Sequence, residues 1–297
     1  MSDEVWSSGA DPYGEEGIYL GDPSYGDGLS INEAFSVDNV FRIGFGMLSD
    51  QPALVILVAF LWFAMQLVVQ LVGPILQIPL GAVVASADLP VELAQAFSQL
   101  GSIVVSLAMI PVQQLVLAGS IVVFAHFIRN DEVSFGALFT QVTPTLRLLL
   151  YFVLIFGAYL PLMSITIGPF LAAGIGLAAA DQVSVAVMVG GLGVVVNFFV
   201  YLYIGLGLLL VAYPICIDDA GALEAIATSW NAAKGGRVTL FVTTLCLGFA
   251  GIAACCMCYL PVFLVQAAGM AGFAGAWLQY ARPVEETEQY GFFQRIL

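Results

Sequence analysis

The sequence predicts an all-α, polytopic integral membrane protein with six transmembrane helices. Of the 297 residues, 61% are hydrophobic and only 9% are charged, and the mean hydropathy is +0.99. A soluble domain carries about 25% charged residues. Apolar runs of about 20 residues, the length that spans a bilayer, recur along the chain. This pattern is typical of one helical membrane domain.

The basic residues indicate how the chain is oriented. All seven can be placed on one side of the membrane, namely Arg42, Arg129, Arg147, Lys234, Arg237, Arg282 and Arg295. Cytoplasmic segments collect Lys and Arg, so we expect a multi-pass protein of the cell (inner or plasma) membrane with both termini in the cytoplasm. The acidic start Met-Ser-Asp-Glu does not match a cleavable signal peptide.

Three regions differ in composition. We expect residues 1–29 to be a disordered acidic cytoplasmic tail, residues 30–282 the six-helix transmembrane domain, and residues 283–297 a short cytoplasmic tail. Nine of the 21 acidic residues lie in residues 1–38, so most of the net charge of −14 is outside the membrane domain. An acidic tail disfavours nucleic acid. The expected partners are the lipid bilayer and other membrane proteins or further copies of the chain.

The first third of the chain begins with a capping box, Ser30-Ile-Asn-Glu33. The helix that follows is expected to place one apolar side in the membrane interface, formed by Ile31, Ala34, Phe35, Phe41, Phe45 and Leu48. A first membrane helix is predicted from about Pro52 to Val72, with breaks at Gly73-Pro74 and Pro79. A short helix is expected near 90–100, and a second membrane helix from about Ser102 to Ile128, kinked at Pro111.

Four further membrane helices follow. They are predicted at about Thr145–Met163, Val183–Tyr213, Val238–Met257 and Val262–Ala281. An apolar outer hairpin, residues 164–182, is expected to be broken at Gly168-Pro169, and the sequence leaves open whether it re-enters the membrane.

An amphipathic segment recurs before each pair of membrane helices. The three matching cores are Ile31–Ser36, Phe135–Thr140 and Leu223–Thr228. In the third, Leu223, Ile226, Ala227 and Trp230 follow the i, i+3, i+4, i+7 spacing of an interfacial helix. The predicted architecture is three repeats of an amphipathic helix plus a transmembrane hairpin.

The most specific local pattern combines Tyr213-Pro-Ile-Cys-Ile-Asp-Asp, Ala222-Leu-Glu-Ala and Thr228-Ser-Trp-Asn-Ala-Ala-Lys-Gly235. It resembles a segment shared by poorly characterised bacterial and archaeal membrane proteins. That group includes the YciC-like proteins and the membrane domain attached to some glycerophosphodiester phosphodiesterases. The resemblance is at motif level over about residues 213–245 and at the level of layout over residues 30–282. It implies a six-helix membrane domain and no agreed activity.

The sequence contains few groups that carry chemistry. Its one histidine, His126, is predicted at the face opposite the cluster Cys255, Cys256 and Cys258. We therefore expect no metal site and no cofactor, and we interpret the cysteines as small packing residues, with a disulfide or lipidation as alternatives. No charge is predicted near the bilayer centre, which disfavours a proton-coupled pump.

Two sets of membrane residues remain as candidates. Polar side chains that could line a cavity are Gln113, Gln114, Asn197 and Gln266, although hydrogen bonding between helices is the favoured interpretation of them. A small-residue face on the sixth helix, suited to close helix packing, is formed by Ala268, Gly272 and Ala276.

The favoured function is a non-enzymatic scaffold or accessory subunit that packs through small-residue helix faces. The alternative is a facilitative carrier of a lipid or small neutral molecule, through the polar cavity. A third hypothesis, an enzyme acting on lipid headgroups, would use Asp131, Asp218 and Asp219, for which helix capping is the simpler interpretation.

Overall fold

The computed structural model describes residues 28–86, 91–133, 136–257 and 259–296. Within these ranges the chain forms helices and no strand, so the predicted all-α class is confirmed. The helices are α1 Ile31–Ala34, α2 Val37–Asp50, α3 Pro52–Ser86, α4 Val91–Asn130, α5 Ala137–Thr140, α6 Val142–Ala179, α7 Val183–Leu208, α8 Ala212–Ile217, α9 Ala222–Ala233, α10 Arg237–Met257, α11 Tyr259–Ala281, α12 Val284–Thr287 and α13 Gly291–Ile296. Most of the predicted tail, and Cys258, lie outside the described residues.

Several helices are suited to crossing a membrane. Among the described residues, five are long and apolar enough, namely Leu107–Asn130, Val142–Ala179, Val183–Ile217, Arg237–Cys256 and Pro261–Ala281. A sixth span is possible if α2 and the start of α3, which meet at an angle of 105°, are counted together. The chain is therefore compatible with a polytopic membrane protein, as predicted.

The predicted proline breaks are wrong. α3 continues through Gly73-Pro74 and Pro79, and α6 continues through Pro161 and Pro169 to Ala179. A proline removes one backbone hydrogen bond, and long apolar helices tolerate that loss. The outer hairpin 164–182 is consequently the end of α6 and a short turn before α7, with no re-entrant break.

The first amphipathic helix is divided in two. The capping box at Ser30 and Glu33 is confirmed, but α1 ends at Ala34, and Ser36 caps α2 by accepting a hydrogen bond from the Asn39 amide at 3.2 Å. The division shifts the buried side, which in α2 comprises Asn39, Val40, Ile43, Gly44 and Met47. Phe45, on the side predicted to face the membrane interface, is half exposed.

α11 lies at the centre of the bundle. It packs against α2, α3, α4 and α10, and the side chain of Trp277 is fully buried there. α6 and α7 form a hairpin, and the most extensive contact of each helix is with the other. In the apolar segment of α11, 67% of the residues are buried, whereas the value for α6 is 6%. The fold thus consists of a packed bundle and a peripheral hairpin.

Candidate functional site

A buried carboxylate joins α11 to the end of α8. The side chain of Asp218 is only 1% exposed. It accepts hydrogen bonds from Trp277 Nε1 at 2.8 Å and from Arg282 Nη2 at 2.9 Å. Because a buried carboxylate is costly unless it is paired, these contacts tie the position of Asp218 to the last turns of α11.

Arg295, in the C-terminal helix α13, forms ion pairs at the ends of two other helices. Its Nη2 lies 2.8 Å from Asp50 Oδ2, at the end of α2, and 2.6 Å from Asp131 Oδ1, just after α4. Hydrogen bonds from the Arg295 guanidinium lower the pKa of the Asp131 carboxyl below its ordinary value, and the pKa of Arg295 is raised. This end of the bundle is held by charge pairs between segments that are distant in sequence.

The three carboxylates considered for enzyme chemistry therefore pair with three different arginines. The third pair joins Arg147 to Asp219 at 2.5 Å. Asp131 and Asp219 also have positive φ angles, 56° and 55°, in turns that follow helices. Aspartate tolerates this left-handed conformation better than most residues. The three side chains thus help to end helices and to join them.

Two buried amides connect α2 to α11, and the sequence analysis missed both. Asn39 Nδ2 donates to Gln279 Oε1 at 2.6 Å and to the Ala34 carbonyl oxygen at 2.8 Å. Both side chains are at most 5% exposed. The only sequence signal for Asn39 is that it is an uncharged polar residue within an apolar stripe. Which side of the helix it occupies depends on the break between α1 and α2.

The candidate packing face on α11 is used within the chain. Ala268, Gly272 and Ala276 are all buried. A Cβ atom at Gly272 would overlap the Val40 carbonyl oxygen, and one at Gly44 would overlap the Ala268 carbonyl oxygen. The backbones of α2 and α11 therefore approach closely, and this face is not open to another protein.

The candidate cavity residues occupy separate surroundings. Asn197 Oδ1 accepts a hydrogen bond from Thr166 Oγ1 at 2.7 Å, which links the two helices of the α6–α7 hairpin. Gln113, Gln114 and Gln266 are partly buried. They line neither of two cavities in the described part of the chain, one of about 330 Å³ beside Arg295 and one of about 270 Å³ between α7 and α10.

The predicted interfacial helix, α9, contacts the protein through its small side chains. The buried residues are Ala222, Ala225, Ser229, Ala232 and Ala233. Of the predicted apolar side, Leu223 is exposed, whereas Ile226, Ala227 and Trp230 are partly buried. Leu223 therefore faces away from the bundle, and the fully buried side chains of α9 are its small ones.

The four cysteines in the described residues differ in exposure. Cys255 and Cys256 are exposed at the end of α10, contrary to the predicted packing role, while Cys216 and Cys246 are partly buried. These four are free thiols. Within the described ranges, no group of three or more His, Cys, Asp or Glu side chains could hold a metal ion.

Known proteins do not add to this description. Comparison with protein-family models, curated proteins and solved structures finds no significant match. The resemblance of residues 213–245 to the YciC-like group accordingly stays a prediction, and the function has to be inferred from the contacts above.

Proposed function

We propose that this protein is a non-enzymatic scaffold or accessory subunit of the cell (inner or plasma) membrane that binds other membrane proteins through α6. In this proposal six membrane helices form three repeats, each an amphipathic helix followed by a hairpin, and both termini are cytoplasmic. No cofactor takes part.

The observation that carries the proposal is a stripe of small residues on the open side of α6. We call Gly157, Pro161, Ser164, Gly168 and Ala172 the α6 stripe. Four of its members are exposed and Gly168 is partly buried. A Cβ atom at Gly157 or Gly168 would meet no other atom within 4 Å. Small residues at this spacing allow the backbone of another helix to approach closely.

The stripe points away from the rest of its own hairpin. At 3.6 residues per turn, its members lie within about a quarter of the helix circumference. The residues of α6 that contact α7 include Thr166, bonded to Asn197, and Phe170, packed at Gly193. Both lie on the opposite side of α6. The small-residue face of α11 is filled by α2, whereas the α6 stripe is open.

The orientation in the proposal is supported by the charge pairs. Arg147, Arg282 and Arg295 all pair with aspartates at or near helix ends. The two acidic partners of Arg147 and Arg282, Asp219 and Asp218, are adjacent in sequence. This grouping of basic residues is the arrangement expected at a cytoplasmic face.

Native mass spectrometry of the protein, released from its own membrane in mild detergent, tests the proposal. We expect a partner in fixed stoichiometry that is lost from the double variant Gly157→Leu/Gly168→Leu. The variant should itself fold, because both positions have open space. The control is Gly205→Leu on α7, where an added Cβ atom also meets nothing within 4 Å.

Two results would overturn the proposal. One is a partner that stays bound to the double variant as it does to the unaltered chain. The other is a chain that carries no protein partner but a defined lipid or small neutral molecule in its place, which would favour the carrier.

A further inference from the structure

Arg237, the first residue of α10, lies against two aromatic rings. Its guanidinium carbon is 3.8 Å from the centre of the Tyr203 ring and 4.7 Å from that of Trp230. The two rings meet edge to face, with centroids 5.9 Å apart. Stacking on aromatic rings is favourable for a guanidinium, and tryptophan provides the strongest such contact. We call these three residues the Arg237 site.

The Trp230 ring is held in place by backbone packing. It lies directly over Gly207 of α7, where a Cβ atom would overlap the indole. Beside it, the Ser229 hydroxyl donates to the Gly207 carbonyl oxygen at 2.9 Å and is fully buried. The Trp230 ring of the Arg237 site is therefore a fixed part of the contact between α9 and α7.

The cation of this site lacks a counterpart. Among the described residues, Arg237 has no ion pair, and its buried Nε and Nη2 atoms have no hydrogen-bond partner. These two nitrogens form the edge of the guanidinium that binds phosphate or carboxylate with two parallel hydrogen bonds. Lys234, one turn earlier, differs because its Nζ donates to Asn231 Oδ1 at 2.8 Å.

An apolar groove lies between α7 and α10, and its lining begins at Leu202, next to Tyr203, and at Phe241, one turn after Arg237. Its volume is about 270 Å³, and its lining includes Leu202, Leu206, Phe241, Leu245, Gly248 and Ile252. The α10 residues follow Arg237 at steps of three or four, so they lie on the same side of the helix. From Arg237 to Ile252 the helix rises about 22 Å, longer than the ~15 Å that half of a hydrocarbon core requires.

We propose that the Arg237 site and this groove bind one glycerophospholipid. The phosphate pairs with Nε and Nη2 of Arg237, and one acyl chain lies in the groove between α7 and α10. The Tyr203 ring, which is 52% exposed, moves aside to uncover the guanidinium edge. Unpaired donors in a membrane interface are costly, and a phosphate would satisfy them. The N-terminus of α10 adds a favourable dipole for the anion. This proposal does not depend on the scaffold function.

Gly248 provides a specific test because it lines the groove yet touches nothing. A Cβ atom there would meet no other atom within 4 Å, and the same is true of Gly251 on the same helix, which is outside the groove lining. Gly248→Leu should thus fill the groove without disturbing the fold, and Gly251→Leu is its matched control. Arg237→Gln removes the cation, with Lys234→Gln as the control for loss of charge.

The experiment is native mass spectrometry of the full chain, delipidated in mild detergent and titrated with dioleoyl phosphatidylglycerol. We expect binding about tenfold weaker in Arg237→Gln and in Gly248→Leu, as for the loss of one principal contact, and unchanged binding in the two controls. Dioleoylglycerol, which lacks the phosphate, should bind more weakly to the unaltered chain. Melting temperatures in detergent check that each variant folds. If Arg237→Gln does not fold, Gly248→Leu still tests the proposal.

Two outcomes would overturn the proposal. The first is that Gly248→Leu binds phosphatidylglycerol as tightly as the unaltered chain. The second is that inorganic phosphate competes fully with the lipid at equal concentration, because the ligand would then be a free anion with no role for the groove.

Discussion

Gly272 of α11 lies against the carbonyl oxygen of Val40 in α2, and no side chain fits between the two helices at this position. The same interface contains Gly275, where a Cβ atom would come within 2.7 Å of Ile43. α2 and α11 contribute many of the residues in the main hydrophobic core. This contact therefore contributes to the stability of the bundle.

Replacement of Gly272 by leucine should destabilise the protein. Overpacking of a filled interface costs about 1–3 kcal/mol or more, because α2 and α11 would have to move apart. The measurement is the thermal unfolding midpoint in mild detergent. The control is Gly157→Leu on the open side of α6, which should leave the midpoint of the isolated chain unchanged. Equal midpoints for Gly272→Leu and the unaltered chain would contradict the packing described here.

Asp218 and its neighbour Asp219 should differ in their contribution to stability. The Asp218 side chain is 1% exposed, whereas that of Asp219 is 59% exposed. Hydrogen bonds to a charged buried group contribute about 1.5–3 kcal/mol, and exposed ion pairs about 0–1 kcal/mol. We expect Asp218→Asn to lower the unfolding midpoint clearly and Asp219→Asn to change it little. Asparagine also tolerates the positive φ of residue 219, so the comparison is matched.

The contribution of Asp131 to stability should depend on pH. Its pKa is lowered in the folded protein by hydrogen bonds from Arg295. The folded state thus binds this proton more weakly than the unfolded state. The stabilisation is present above the unfolded pKa of about 3.9 and is lost as the pH falls through the lower folded value.

Unfolding midpoints of the unaltered chain and of Asp131→Asn, measured from pH 7 downwards, check this sign. The unaltered chain should be slightly more stable at neutral pH, by up to about 1 kcal/mol because the pair is exposed. The two curves should converge below about pH 4. A difference that stays constant or grows on acidification would refute the assignment.

The proposed orientation predicts which turns face the outside. Asp181 is exposed in the turn between α6 and α7, and Asp131 follows α4 at the end that carries Arg295. In a background without the native cysteines, Asp181→Cys should react with a membrane-impermeant thiol reagent on intact cells. Asp131→Cys should react only after the membrane is permeabilised. The reverse pattern would place the termini outside.

The positions of the apolar helices could be predicted from the sequence, but several of their ends could not. α10 and α11 begin and end within a few residues of the predicted bounds, because hydropathy changes sharply there. α3 and α6 extend well past their predicted bounds. Those bounds assume that proline and glycine end a helix, as they do in helices exposed to water. In an apolar helix each remaining backbone hydrogen bond is costly to break, so the helix continues.

The candidate sites were harder to predict from the sequence, because they depend on contacts between different helices. The break at Ser36 rotates the buried side of α2, so Asn39 faces Gln279 and Phe45 faces outwards. The site at Arg237 combines residues from α7, α9 and α10. Neither arrangement has a signature at fixed spacing in the sequence.

Composition and periodicity by themselves determined that this chain is helical and has helices apolar enough to cross a membrane, because these properties depend on each segment separately. The tertiary structure decided the different roles of residues of the same type. A Cβ atom at Gly272 would overlap the Val40 carbonyl oxygen, while one at Gly168 or Gly248 would meet no other atom within 4 Å. Arg295 pairs with two aspartates, while Arg237 lies on aromatic rings. The difference arises from contacts between segments distant in the chain, and such contacts depend on packing, which local pattern does not encode.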